Sequence, residues 1–174
     1  MADAARAAAS HVIAESTDAL LASMPAVRGV VALYAAKGSE VETARLDSLV
    51  RSRGVRVAYP RVVDGDRVLA FHAAAIGDLL TSHFALREPP KSPATHVPLD
   101  GISAFVIPGL AFDRTGGRLG WGRGHYDASL ALAPHAVRIG LAFECQLVDE
   151  IAREPHDVGL HYLVTESTIY RAAD

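Results

Sequence analysis

The stretch Val106–Leu130, VIPGLAFDRTGGRLGWGRGHYDASL, most constrains what this chain can fold into. It begins as an apolar strand, turns at Pro108–Gly109, and passes through a glycine-dense loop into an expected helix over His125–Leu132. Five of the chain's 14 glycines lie in the segment Gly116–Gly124. Glycines at this density let a ligand approach the backbone closely. A strand, a Gly/Arg loop and a helix start together favour phosphate binding, because free N–H groups and the helix dipole face the anion.

The segments around this stretch predict a layered α/β domain with a mostly parallel sheet. Val30–Tyr34 and Val55–Tyr59 are short apolar runs typical of buried strands. Between them, Ser39–Glu42 has the pattern of a capping box that opens a helix ending near Ser52. A strand, a helix and a strand of these lengths form a βαβ unit with parallel strands and a right-handed crossover.

Other segments extend this pattern on both sides. We expect an alanine-rich helix from Ala2 to about Ser23 that packs on the outside of the sheet, and an extended, proline-rich connector over 87–98. A run over 68–72 is predicted to pair with the preceding strand as a hairpin. Later strands are expected over 137–143 and, as the last strand, over 162–165, with a brief helical piece over 146–151.

Composition limits the classes of function. A chain of 174 residues, 50% of them hydrophobic and with a net charge of −3, is typical of one soluble globular domain. It has no basic block, so we expect no nucleic-acid surface. The single cysteine, Cys145, excludes a disulfide within the chain and a Cys-cluster metal site, and it fits the reducing cytoplasm. The sequence predicts no signal peptide and no membrane span.

The loop carries groups that suit an anion. Gly120, Gly122 and Gly124 follow a G-x-G-x-G pattern, which is neither the dinucleotide nor the Walker fingerprint. Arg118 and Arg123 could neutralise phosphate oxygens. Asp127, at the expected helix start, could hold a divalent cation that bridges the phosphates. From spacing alone, a tight turn with solvated charges is about as good an interpretation.

Other candidate residues are ambiguous by themselves. Trp121, the only tryptophan, either packs in the core or stacks on a planar ligand, and His125 and Tyr126 share that ambiguity. Glu40 follows the first strand, where ligands gather in such folds, but a first-turn charge is the simpler interpretation. Asp157 alone is indistinguishable from a solvated loop residue.

The run PGLAFDRTGGRLGWGRGHYDASL closely resembles the signature of the 5-formyltetrahydrofolate cyclo-ligase family. Two further segments are similar to family segments in the same order: SEVETARLDSLVRSRGVRVAYPR and EPHDVGLHYLVTES. The resemblance implies a three-layer α/β/α single domain spanning 1–174. It also implies a ligase that uses ATP and Mg²⁺ to convert the small-molecule substrate 5-formyltetrahydrofolate into 5,10-methenyltetrahydrofolate, releasing ADP and phosphate. The protein would be a monomer or a weak homodimer.

The resemblance assigns roles by position. Arg118, Arg123 and Tyr126 would be catalytic, and Asp127 and Asp157 would bind the metal. The residues that would bind ATP are Arg118, Leu119, Gly120, Trp121, Gly122, Arg123, Gly124, His125 and Tyr126. The residues that would bind the folate are Ala35, Glu40, Arg61 and Trp121.

Two positions differ from the family pattern. The resemblance implies a basic N-terminal helix that reaches the ATP phosphates, whereas the corresponding segment of this chain has only Arg6 and the helix is expected to be shortened. The alternative function is therefore a folate- or nucleotide-binding family member with weak or no turnover. His161 stands where the family usually has an aspartate.

Overall fold

The computed structural model describes residues 2–82 and 86–172. Its elements have the following bounds. The helices are α1 (Asp3–Ser23), α2 (Ala44–Ser52) and α3 (His125–Ala131), and the strands are β1 (Val30–Ala32), β2 (Arg56–Arg61), β3 (Ala70–Ala73), β4 (Leu80–Thr81), β5 (Arg87–Glu88), β6 (His96–Val97), β7 (Ile102–Ile107), β8 (Ala111–Phe112), β9 (Arg118–Leu119), β10 (Val137–Leu141), β11 (Tyr162–Val164) and β12 (Ile169–Arg171).

The central sheet has the strand order β12-β11-β10-β7-β1-β2-β3-β6. The inner strands β11, β10, β7, β1 and β2 run parallel to one another. At the two edges, β12, β3 and β6 join antiparallel. The predicted α/β class, mostly parallel sheet and hairpin between β2 and β3 are confirmed. Two small antiparallel ribbons, β4–β5 and β8–β9, lie outside this sheet.

The sheet is covered on both faces because its strands bury alternate side chains on opposite sides. Ile13 of α1 and Leu46 of α2 pack on one face, against Val31 of β1. Leu130 of α3 and Phe112 of β8 pack on the other face. The result is the expected three-layer arrangement. None of the helices among the described residues is long and apolar enough to cross a membrane.

The predicted capping box at Ser39–Glu42 is wrong. The helix begins at Ala44 instead, after Thr43. The Glu42 N–H donates to the Ser10 hydroxyl of α1 at 3.1 Å, while the Thr43 hydroxyl donates to the carbonyl of Tyr34 at 2.6 Å. Partners from other elements therefore replace the local capping interactions.

The segment after β10 also differs from the prediction. Only Glu144–Gln146 forms a single helical turn, and 147–151 is not helical. The Val148 N–H donates to the carbonyl of Phe112 at 2.9 Å, which holds this segment extended beside β8. The predicted last strand is followed by β12, so it is not the last. The expected connector over 87–98 contains β5, β6 and a short helical turn at Pro93–Thr95.

Candidate active site

A cleft of about 1210 Å³ opens at the carboxyl ends of β1, β2 and β7. In parallel α/β sheets this edge is where ligands bind. Tyr34 and Ala35 follow β1, Pro60 lies at the end of β2 and Val62 just after it, and Pro108 follows β7. The glycine loop closes the opposite side through every residue from Arg118 to Ala128. The cleft thus joins the loop to the wall formed by the first βαβ unit.

The glycine loop is held by a buried carboxylate, which the sequence analysis did not single out. Asp113 is 1% exposed and lies between β8 and β9. Its oxygens accept from the Thr115 N–H and hydroxyl, from the Gly117 N–H at 2.8 Å, and from the Ile151 N–H at 3.0 Å. Burial raises the pKa of Asp113, but these hydrogen bonds outweigh burial and hold the pKa below its ordinary value. Asp113 therefore fixes the hairpin and the 151 segment together.

Arg118 and Asp127 form an ion pair at the base of the loop. One guanidinium nitrogen of Arg118 lies 3.1 and 3.0 Å from the two oxygens of Asp127. The side chains are 7% and 16% exposed, so solvent screens the pair little. The guanidinium also lies 5.6 Å from the ring centre of Tyr126. Its Nε is buried and has no hydrogen-bond partner within the described part of the chain.

The loop backbone suits close contact with an anion. Gly122 and Gly124 have φ angles of 77° and 65°, which side chains with a Cβ rarely adopt. Across residues 2–82 and 86–172, the amides of Gly120, Gly122 and Gly124 donate no hydrogen bond. A Cβ on Gly120 would lie 2.7 Å from a guanidinium nitrogen of Arg118. Because α3 has only seven residues, the arginine and these amides, more than the helix dipole, supply the positive potential.

Trp121 extends from the loop toward Glu40. Trp121 is 69% exposed, and its indole lies close enough to Glu40 to lower the pKa of that carboxyl. The Glu40 carboxylate accepts from the Lys37 N–H at 2.9 Å. Burial raises the pKa of Glu40, and the hydrogen bond to Lys37 and the indole of Trp121 offset this only in part. Trp121 is therefore not a core residue, and Glu40 is more than a solvated first-turn charge.

Two tyrosines of the cleft lining sense the charge of Glu40. Burial, and then the charge of Glu40, raise the pKa of both Tyr34 and Tyr126, so both phenols stay protonated. The Tyr34 hydroxyl donates to the carbonyl of Val41 at 2.8 Å. His125 is oriented by a 2.9 Å contact between Nδ1 and the carbonyl of Arg67.

The expected metal ligands lie beside each other. Asp127 and Asp157 both border a small depression next to Gly117. Asp157 accepts from the Glu154 N–H at 2.7 Å. The described residues contain no group of three or more His, Cys, Asp or Glu that could hold a metal by themselves. Two carboxylates nevertheless suit Mg²⁺, which commonly takes one or two carboxylates and completes its shell with phosphate and water.

Residues 2–166 match the sequence model of the 5-formyltetrahydrofolate cyclo-ligase family. The chain belongs to this family. Several relatives carry the name 5-formyltetrahydrofolate cyclo-ligase, among them the following two. The protein of Mycolicibacterium smegmatis is 33% identical over 141 residues, covering 78% of this chain and 72% of that protein. The protein of Escherichia coli K12 is 28% identical over 144 residues, covering 80% of this chain and 79% of that protein.

The fold agrees with this assignment. The NMR structure of Aquifex aeolicus 5,10-methenyltetrahydrofolate synthetase superposes with a TM-score of 0.77 at 25% sequence identity, covering 100% of this chain and 86% of that one. Members of the cyclo-ligase family are ligases, so the enzyme class predicted from the sequence is confirmed.

The cleft brings together most residues that the cyclo-ligase resemblance singled out. Ala35, Glu40, Asp157 and the whole segment from Arg118 to Asp127 line it, although their individual roles remain predictions. Arg61 is not among the described lining residues, and its Nη1 lies 3.8 Å from the Glu88 carboxylate. Arg67, Arg87 and Glu88 line the cleft but were not predicted, because no local motif marks them.

His161 is not among the described residues that line the cleft. The backbone N–H of Arg138 lies 3.0 Å from its Nδ1, and the Arg138 guanidinium lies 2.7 Å from its Nε2. The same guanidinium donates to the carbonyl of Gly159 at 2.7 Å. At this cyclo-ligase position, the histidine therefore ties β10 to the segment that enters β11.

Proposed function

We propose that this protein converts 5-formyltetrahydrofolate into 5,10-methenyltetrahydrofolate, using Mg-ATP and releasing ADP and phosphate. The observation that carries the proposal is the shared cleft. It places the Arg118–Asp127 loop opposite the wall that holds Ala35 and Glu40. A phosphate-binding side and a folate-binding side in one cleft are what transfer of a phosphoryl group to the formyl oxygen requires.

The residues of the loop supply charge neutralisation and orientation. Arg118 and Arg123 would bind the ATP phosphates, together with the backbone amides of Gly120, Gly122 and Gly124. Asp127 and Asp157 would hold Mg²⁺, which, when bound, neutralises phosphate charge. Tyr126 would orient the Arg118 guanidinium through its ring face.

The opposite wall would position the folate. Glu40 and Trp121 both line the cleft, where they would contact the folate. Phosphorylation of the formyl oxygen makes the formyl carbon electrophilic, and the second folate nitrogen then attacks it as phosphate leaves. This route needs positioning and electrostatic stabilisation rather than a protein nucleophile.

The first experiment is a turnover assay. The protein is mixed with 5-formyltetrahydrofolate and Mg-ATP, and the near-ultraviolet absorbance of the methenyl product is followed. We expect ATP-dependent product formation. Absence of an ATP-dependent signal at every enzyme concentration would contradict the proposal.

A matched pair of arginine variants tests the loop assignment. Arg118→Ala should weaken Mg-ATP binding about 10- to 100-fold, because it removes charge-assisted hydrogen bonds, while folate binding changes less. Arg114→Ala is the control, because Arg114 is in the same hairpin but lies over Tyr170, outside the cleft lining. Calorimetric titrations with each ligand separate the two effects. A larger loss for folate than for ATP would overturn the assignment.

The second candidate function is binding of folate or nucleotide without turnover. One observation favours it: within the described residues α1 places no cation on the cleft lining, and Arg6 instead pairs with Asp3 at 3.3 Å. Calorimetry distinguishes the two functions. Folate binding without Mg-ATP binding supports the second, whereas tight Mg-ATP binding supports the first.

A further inference from the structure

Glu88 is a buried carboxylate on the cleft wall to which the proposed function assigns no role. Its side chain is 6% exposed. One oxygen, Oε1, accepts from the Val62 N–H at 2.9 Å. The other, Oε2, lies 3.8 Å from Nη1 of Arg61, beyond hydrogen-bond distance, and that nitrogen donates to the carbonyl of Pro89 at 2.9 Å. A buried carboxylate with spare acceptor capacity is costly unless another donor reaches it.

The cleft lining that contains Glu88 is partly apolar and also holds two cations, Arg67 and Arg87. Pro60, at the end of β2, and Val62, just after it, line the cleft together with Leu69 and Leu86. Apolar lining residues beside a buried carboxylate suit a flat heterocycle whose edge carries hydrogen-bond donors.

We propose that Glu88 recognises the pterin ring of the formylfolate, accepting hydrogen bonds from its 2-amino group and N3–H. This inference rests on the proposed function. The pyrimidinone edge of a reduced pterin presents these two donors side by side, and a carboxylate presents two acceptors in the same plane. Arg61 is then a positioning residue that orients Glu88, rather than the substrate contact expected from the sequence.

The same geometry argues against ATP beside Glu88. The edge of adenine places a single amino donor beside a ring nitrogen acceptor, and that acceptor would face a carboxylate oxygen. Phosphate groups would be repelled by the carboxylate outright. A ligand with two adjacent donors matches Glu88, whereas the nucleotide does not.

The test compares two ligands with two forms of the protein. Dissociation constants are measured by calorimetry, without ATP, for 5-formyltetrahydrofolate and for its analogue lacking the pterin 2-amino group. We expect the wild type to bind the analogue about 10- to 100-fold more weakly, as for loss of a hydrogen bond to a charged acceptor. Glu88→Gln should weaken binding of the natural substrate by a similar factor and discriminate little between the two ligands.

Glu154→Gln is the matched control, because Glu154 also lines the cleft but its side chain is 73% exposed. It should keep the wild-type discrimination. Equal affinity of the wild type for both ligands would overturn the assignment of Glu88, as would a loss of Mg-ATP affinity in Glu88→Gln equal to the loss for folate. If Glu88→Gln does not fold, the affinities of the wild type for the two ligands still test the assignment, because equal affinities would overturn it.

The outcomes also separate this inference from the proposed function. Turnover that does not depend on the 2-amino group supports the proposed function and contradicts the role of Glu88 in pterin recognition. Folate binding that depends on the 2-amino group, but without turnover, supports the role of Glu88 and contradicts the proposed reaction.

Discussion

Asp113 illustrates how one side chain can set the geometry of a site that it does not enter. It is not among the described residues that line the cleft, yet it binds the backbone of Gly117, next to the loop, and of Ile151, which lines the cleft. Arg153 adds a longer contact of 3.4 Å from a partly exposed position. The positions of Arg118 and of the 151–157 segment therefore depend on one carboxylate.

Asp113→Asn should lower the free energy of unfolding by about 2–4 kcal/mol at pH 7, because an amide cannot accept all these bonds and places a donor against N–H groups. The folded-state pKa of Asp113 is lowered, so its contribution is present above the unfolded pKa and lost as pH falls through the folded value. Urea denaturation should therefore show a constant deficit near neutral pH that shrinks only in acid. The exposed Asp149→Asn is the control, and equal stability of both variants at pH 7 would contradict the role of Asp113.

At the scale of elements, the start of α2 is set by its neighbours. Thr43 is fully buried, and its hydroxyl joins the helix start to the end of β1 through the carbonyl of Tyr34. The same junction carries Ala35 on the cleft wall. Local sequence favoured Ser39 as the cap, but an exposed local cap competes poorly with a hydrogen bond made in the core.

Thr43→Val keeps the shape of the side chain and removes this hydrogen bond. We expect a loss of about 1–2 kcal/mol in the free energy of unfolding, because a buried carbonyl loses its donor. Ser48→Ala, which removes an exposed hydroxyl from the same helix, should change stability by less than about 0.5 kcal/mol. The free energies of unfolding of both variants are measured by chemical denaturation. If Thr43→Val is as stable as the wild type, the hydrogen bond from Thr43 to the Tyr34 carbonyl does not stabilise the fold.

At the scale of the whole molecule, the cleft depends on contacts between distant parts of the chain. Trp121 and Glu40 are far apart in sequence, yet both line the cleft and the indole of Trp121 lowers the pKa of the Glu40 carboxyl. Because Trp121 is the only tryptophan, its fluorescence reports on the cleft alone.

Tryptophan emission should therefore titrate with pH. Burial raises the pKa of Glu40, so as pH falls the carboxylate gains a proton above the ordinary glutamate range and the indole loses its ionic partner. We expect an emission change with its midpoint above the ordinary glutamate pKa, abolished in Glu40→Gln and retained in Glu42→Gln, where the neighbouring carboxylate is exposed. A titration that persists unchanged in Glu40→Gln would show that another group is responsible.

The sequence by itself determined the α/β class, the βαβ unit, the family and the segments that meet at the cleft. These follow from apolar periodicity and from one long glycine-rich motif, and both are local properties that a linear reading can detect. The predicted bounds of the helix His125–Ala131 and of the strand that begins at Val30 are accordingly close to the observed bounds.

Only the tertiary structure decided which charges face the cleft. Glu88 and Arg61 are neighbours in space, but among the described residues only Glu88 lines the cleft. Asp113 became significant only once its donors arrived from Gly117 and Ile151. The physical reason is that burial and long-range hydrogen bonding give a charged residue its role, and neither is encoded in the residues beside it.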